Sequence, residues 1–411
     1  MPIKALRLGR LPRYRNIGKP EHVNLCRALR KPLSGYIGGV PSQGYWVNEL
    51  SDNWRATFGC GFAVPCNSGT SGLLAACMAA GIGTGDEVWV STYTMSATAT
   101  CAMILGATVK FVDIHPDYFT MQGSFSSKWP KAIIITNLFG CAAPLKALRE
   151  ACDTLKIILI EDNAQAPFAT HEGKFTGTWG HMGVFSLNVH KHIQCGEGGV
   201  VVTDDPLLAD RLEGAINHGE LATGSNRNND RIGLNLRMAE PIAAIACAQL
   251  KKGIALVKGR IDLADAITSL FRSVSFVDPP AKRVREVHAY YLWAGKINVP
   301  SARHVREAFV SRLQKRGAPF RIGYAPLLHQ LFEHDYTLPV SEEIEHERLF
   351  TFEICGYDLN GHHLNRMGEI IEYEAAKIEK ELKHDEAQEQ NWQWRSGGAG
   401  GLHRSNGSPI R

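Results

Sequence analysis

From Trp46 to about Lys251, short apolar runs alternate with alanine-rich segments, the pattern of a parallel sheet covered by helices. The runs predict strands at Glu87–Val90, Thr108–Val112, Ala132–Thr136, Ile157–Ile160, Val184–Leu187 and Val200–Thr203. Helices are predicted at Ser71–Ala80, Met95–Leu105, Pro144–Leu155 and Pro206–Ile216. Near residue 255 the pattern changes to longer amphipathic helices with a few strands, among them Tyr291–Val299. Leu364, Met367, Ile371, Ala375, Ile378 and Leu382 keep three- and four-residue spacing and mark one helical face. The reading is an α/β fold: an arm (1–45), a large domain with a mainly parallel sheet (46–255) and a smaller C-terminal α+β domain (256–385). The arm shows little periodicity and should lie on another surface; the glycine-rich tail (386–411) is expected to be disordered.

Composition narrows the class. The chain has 411 residues, 44% hydrophobic and 21% charged, enough for a sizeable core. Its net charge is only +4 and the Lys and Arg residues are scattered, so no nucleic-acid-binding stripe is expected. The ten cysteines form no Cys-x-x-Cys pair and several lie in apolar runs, which reads as buried reduced thiols. Met1-Pro2-Ile3-Lys4 starts no apolar signal core and no long apolar run follows, so a soluble cytoplasmic protein with no membrane partner is expected.

Three segments carry chemistry. Asn67-Ser68-Gly69-Thr70-Ser71-Gly72 precedes a helical run, where unpaired N–H groups and the positive dipole end can hold a phosphate; taken alone, these residues read first as a plain helix cap. Lys156 to Asp162 is a buried-strand run ending in two acids, and ligands of open α/β sheets gather at carboxyl ends of strands. Asp162 there is either a ligand-facing carboxylate or a turn aspartate. Gln165 could contact a cofactor oxygen or cap the next segment. Lys191 sits between His190 and His192, before Gly196-Glu197-Gly198-Gly199 and the strand Val200–Val202. No companion Cys or His at ligand spacing supports a metal there, so none is expected. A lysine that can form an imine and a carboxylate that can keep a pyridine nitrogen protonated together point to pyridoxal phosphate.

In order and spacing, these segments resemble the DegT/DnrJ/EryC1/StrS family of sugar aminotransferases, fold type I pyridoxal phosphate enzymes. The likeness spans about residues 34 to 380. It includes Ser34-Gly35-Tyr36-Ile37, Gly85-Asp86-Glu87-Val88, Glu161-Asp162-Asn163-Ala164-Gln165-Ala166, Gly177-Thr178-Trp179-Gly180, Ser186 five residues before Lys191, and Asn235-Leu236-Arg237-Met238. The resemblance implies that Lys191 carries the Schiff base, Asp162 pairs with the pyridine nitrogen and Gln165 meets the ring hydroxyl. Gly69, Thr70, Ser71 and Ser186 would hold the phosphate, with Asn235 reaching in from a second subunit of a homodimer that shares its active sites.

Where the family stacks an aromatic residue on the cofactor ring, Thr92-Tyr93-Thr94-Met95 offers Met95, with Tyr93 as the alternative. Tyr324-Ala325-Pro326-Leu327-Leu328-His329 approximates the loop near the substrate, which makes His329 a substrate candidate beside Tyr36 and Tyr93. The implied reaction moves an amino group from glutamate or glutamine to a nucleotide-linked keto-sugar in amino-sugar biosynthesis. A keto-cyclitol of aminoglycoside assembly is the alternative acceptor, and a non-catalytic regulatory protein the alternative class. A sugar-dehydrating branch that replaces the lysine by histidine is disfavoured by Lys191.

Overall fold

The structure, a computed structural model, describes residues 6–34, 44–122, 129–220 and 232–397, with side chains up to residue 384. Tyr36 lies outside the described residues.

Seven strands form the main sheet: β1 (Phe62–Cys66), β2 (Glu87–Ser91), β3 (Thr108–Val112), β4 (Ala132–Thr136), β5 (Ile158–Asp162), and, after the hairpin β6 (Thr170–His171) and β7 (Lys174–Phe175), β8 (Met182–Ser186) and β9 (Gly199–Thr203). Their order is β1-β9-β8-β5-β4-β2-β3. β3, β2, β4, β5 and β8 run parallel, and β9 is antiparallel to both its neighbours. Each strand sends alternate side chains to opposite faces. Val88, Val90, Ile134 and Ile160 pack with the helices Gly69–Ala79, Ala97–Ile104 and Pro206–Ile216, while Trp89, Ile133, Ile135 and Leu159 pack with the helix Leu145–Leu155. Both faces are covered, which is why β4 is buried throughout and its Ala132–Ile135 stretch reads as an unbroken apolar run.

The predicted strands and helices of this region recur with shifts at their ends. β1 was not foreseen because Pro65 interrupts it. It is tolerated because β1 is the edge of the sheet, where a residue without an N–H leaves no ladder bond broken on its open side.

A four-stranded antiparallel sheet follows, order β10-β11-β13-β12, from β10 (Val277–Asp278), β11 (Trp293–Ile297), β12 (Arg321–Ile322) and β13 (Leu349–Phe352). Its core is aromatic: Trp293, Phe271, Phe320 and Phe350 stack or meet edge to face beneath the helices Ala302–Lys315 and Gly361–Gly397. The helix Gly253–Leu270 serves both regions. Val257 packs into the core beside the main sheet, whereas Leu263, Ala264 and Ile267 pack under the small one, so the change of pattern near residue 255 falls inside a helix.

Two terminal segments differ from the sequence reading. The arm contains a helix, Lys19–Ala28, started by Pro20 and by Glu21, whose carboxylate accepts the Gly18 N–H at 2.7 Å. Glu21 is buried and also takes Gln249 Nε2 at 2.8 Å and Lys252 Nζ at 2.7 Å. The anchor is polar, so hydrophobic periodicity could not reveal it. At the other end the last helix continues past residue 385 to Gly397, where a disordered tail was expected. Among the described residues, no helix is long and apolar enough to cross a membrane.

Candidate active site

The carboxyl ends of β5 and β8 and the start of the helix Gly69–Ala79 meet at a cavity of about 330 Å³. Ser68, Gly69, Thr70, Met95, Asp162, Gln165, Ser186 and Lys191 all line it.

The helix start does two jobs at once. Ser68 Oγ accepts the Ser71 N–H at 3.0 Å and donates to Ser71 Oγ at 2.9 Å, which is a helix cap. Gly69 and Thr70 meanwhile face the cavity, with the free N–H groups of the first turn beside them. Ser71 turns its N–H and its Oγ to the cap and does not line the cavity, contrary to its expected role. Gly69 is close against β8: a Cβ there would lie 2.8 Å from Ser186 Cβ, so only glycine lets the helix end approach this strand.

Asp162 closes β5 and is 4% exposed. Thr98 Oγ1 donates to its Oδ2 at 2.7 Å and the Ala164 N–H to its Oδ1 at 3.2 Å. Behind Thr98, Thr136 Oγ1 donates to Thr94 Oγ1 at 3.0 Å, and Thr94 and Thr98 are linked at 3.1 Å. Because Thr98 gives its proton to the carboxylate, the chain runs one way, from Thr136 through Thr94 and Thr98 to Asp162. Burial pushes the Asp162 carboxyl above the usual range, opposed by the Thr98 and Ala164 bonds and by the charge of Lys191. Its neighbour Glu161 points to the opposite side of the strand, where it accepts Asn137 Nδ2 and the N–H groups of Gly177, Trp179 and Gly180, and so fixes the turn before β8.

Lys191 lies in the loop between β8 and β9, closed by Leu187 N–H to Gly198 O at 2.8 Å and Val189 N–H to Gly196 O at 3.0 Å. Gly196 has φ +89°, and at Gly199 a Cβ would come within 2.6 Å of Ser68 O, so the loop returns hard against the helix start. Lys191 Nζ sits 4.4 Å from the centre of the Tyr291 ring. Burial lowers its pKa from the ordinary lysine value, against the pull of Asp162. His192 beside it is a core residue, bonded to Ala289 O at 2.8 Å, and no cluster of three potential metal ligands occurs among the described residues.

Gln165 is buried and lies on the cavity wall. Its Oε1 accepts the Phe139 N–H at 2.9 Å and its Nε2 donates to Tyr324 Oη at 2.7 Å. Met95, 52% exposed, lies on the cavity wall. Tyr93 does not: it is fully buried and donates to Glu345, whose carboxylate also accepts the Tyr324 N–H at 3.1 Å. His329 is buried as well, with Nδ1 at 2.7 Å from Thr92 Oγ1 and Nε2 at 2.8 Å from Glu342. Neither Tyr93 nor His329 reaches the cavity, so both substrate assignments are corrected: these side chains clamp the 92–95 loop to the segment 323–345. Asn235 is exposed, bridged to Asn217 and away from its own chain's cavity.

Sequence reasoning missed Thr98, Asn188, Tyr291 and Tyr324. Thr98 had a signal, a hydroxyl inside an alanine-rich helix that must find a partner when buried. The two tyrosines come from remote segments that only folding brings over Lys191.

The sequence model described as the DegT/DnrJ/EryC1/StrS aminotransferase family matches residues 37–355. The L-glutamine:2-deoxy-scyllo-inosose aminotransferase of Streptomyces kanamyceticus is 32% identical over 322 residues, 74% of each chain. A GDP-perosamine synthase of Vibrio cholerae is 32% identical over 248 residues, 58% of this chain and 67% of that one. Among solved structures, an aminotransferase from Psychrobacter cryohalolentis superposes with a TM-score of 0.81 at 22% identity, covering 90% of this chain and 100% of the other, a likeness of fold.

Proposed function

The chain belongs to the DegT/DnrJ/EryC1/StrS aminotransferase family, and from that premise we propose that it moves an amino group from glutamate or glutamine to a keto-sugar, using pyridoxal 5'-phosphate held in the cavity of Lys191 and Asp162. The observation that carries the reading is a buried, hydroxyl-braced carboxylate and a buried amine lining one cavity, beside a helix start that only glycine can bring so near β8. The residues present fit the cofactor. Gly69, Thr70 and Ser186 would hold its phosphate, Asp162 its ring nitrogen and Met95 one face of its ring.

When bound, the cofactor supplies an aldehyde that takes up the amino group and a ring that takes up electrons. Lys191 does the proton work: with its pKa lowered by burial, Nζ spends more time neutral and can lift the proton from the donor's α-carbon. Asp162 would hold the protonated ring nitrogen, while the one-way hydroxyl chain fixes the orientation of the carboxylate and, by donating to it, opposes the burial that favours its protonation. Gln165 keeps one amide N–H beyond its bond to Tyr324, and that N–H is the one available for the ring hydroxyl. Asn235, exposed on its own chain, supports a homodimer in which each copy completes the other's site.

A keto-cyclitol acceptor is the second reading. It is favoured by the inosose aminotransferase, whose similarity covers 74% of this chain against 58% for the perosamine synthase. Purified protein loaded with pyridoxal phosphate should be yellow, and L-glutamate or L-glutamine should bleach the band while the matching keto acid forms. Protein that stays colourless with the cofactor, or yellow protein that no amino acid bleaches, would overturn the reading.

A further inference from the structure

Beyond Tyr291 and Tyr324 the cavity continues into a second one of about 170 Å³, with which it shares His190 and both tyrosines as walls. This outer space is framed by β12 and β13. Arg321, from β12, and Glu353, just past β13, meet in it at 2.8 Å. The Arg321 side chain is 62% exposed and that of Glu353 34% exposed, so neither is used up in the fold. Gly323 between them and the Lys191 chemistry is fixed: its φ is +65° and its carbonyl accepts Thr351 Oγ1 at 2.9 Å.

We infer that the Arg321–Glu353 pair is the subsite that reads the ring hydroxyls of the acceptor, a neutral polyhydroxylated cyclic ketone. The inference rests on the aminotransfer reading. A guanidinium presents several N–H donors in a fixed fork and a carboxylate presents only acceptors, so the pair matches two neighbouring hydroxyls, one accepting from Arg321 and the other donating to Glu353. The alternative ligand, the carboxylate of the amino donor, fits less well. Arg321 is already neutralised by Glu353, and an incoming carboxylate would face that acid. Charge over the whole space points the same way. Besides His190, the cationic side chains lining the two cavities among the described residues are Lys191 and Arg321, against Asp162, Glu197 and Glu353. A diphosphate carried by the acceptor would have to sit beyond both cavities.

The test separates the two half-reactions in Glu353→Gln and Arg321→Lys. Bleaching of the holoenzyme by L-glutamine reads the donor half. Recovery of the band with 2-deoxy-scyllo-inosose, and with its analogue lacking one hydroxyl beside the ketone, reads the acceptor half. The acceptor half-reaction should lose about tenfold or more in kcat/KM in both variants, because a site built to bond a hydroxyl suffers when the match is broken. The donor half should change less than about twofold, a difference too small for a lost charge-assisted bond. In the variants, the analogue should lose its disadvantage. Equal losses in both halves would make Arg321 a donor-carboxylate site, and no loss in either would make the pair a surface ion pair; both results overturn the inference. Wild-type holoenzyme that bleaches with glutamine but turns over neither ketone overturns the subsite alone. Wild-type that no donor bleaches overturns the aminotransfer reading and the subsite with it.

Discussion

The floor and the roof of the active-site cavity are built by different means. On the floor, Asp162 and Ser186 end strands β5 and β8, and Gly69 and Thr70 begin a helix. Backbone ladders fix where those side chains point, and register alone puts Asp162 beside Thr136 on one side and Val184 on the other. The roof comes from the loop 92–95 and the segment 323–345, and no ladder sets its shape. There the residues with the most chemistry to offer, Tyr93, His329 and Glu345, are consumed in holding one piece to another. Asp162, at a strand end, faces the cavity and is free to work, whereas in the roof Tyr93, His329 and Glu345 are rivets.

The comparison breaks if floor residues prove structural. Lys191→Ala should lower transamination by about 10⁴-fold, the upper range for removing a positioned acid–base group. Asp162→Asn should lower it by about 10²- to 10³-fold, as when a preorganised electrostatic contact is removed. Circular dichroism should show both variants folded. Turnover near normal in either, measured as keto acid released from the donor, would sink the assignment of the floor.

The roof makes the opposite demand. His329→Ala leaves Thr92 and Glu342 without their buried partner and should cost about 1–3 kcal/mol of stability, readable as a drop of a few degrees in Tm. The donor half-reaction should survive, since nothing of His329 reaches the cavity. A His329→Ala protein with unchanged Tm and no donor reaction would return that histidine to the chemistry.

The same contrast explains how far the sequence could be read. β5 was legible because Ile158, Leu159 and Ile160 form an apolar run that stops at two acids, and a run that stops at acids announces both a strand and its functional end. Lys191 was legible through its glycines, whose tight return before β9 needs those residues and no others. β1 and the Lys19–Ala28 helix were not, because a proline hides the first and a polar anchor, Glu21, holds the second. His329 and Tyr93 were found as unusual residues and given the wrong work. Nothing local in the sequence says whether a loop histidine faces a cavity or a threonine 237 residues away. Tyr291, Tyr324 and the Arg321–Glu353 pair depend on the same long-range placement.

The smallest effect sharpens the comparison most, because it sets one carboxylate of the floor against one of the roof. Burial raises both Asp162 and Glu345 above the usual carboxyl range. A folded-state pKa above the unfolded one means that the native protein binds the proton more tightly. The resulting stability is complete below the unfolded value of about 4 and is lost as pH rises through the folded value. In cofactor-free protein, Asp162→Asn and Glu345→Gln should therefore each gain in Tm relative to wild type as the pH is taken from about 4 to about 7. Pyridoxal phosphate should then part them. On the proposed reading its protonated ring nitrogen would give the Asp162 charge a partner, so in the holoenzyme the pH-dependent gain of Asp162→Asn should shrink or reverse. Glu345 is bonded to Tyr93 and to the Tyr324 N–H outside that cavity, and the gain of Glu345→Gln should stay as it was. A cofactor effect of equal size at both positions would mean that floor and roof are one electrostatic unit, and that the division between a working side and a riveted side does not hold.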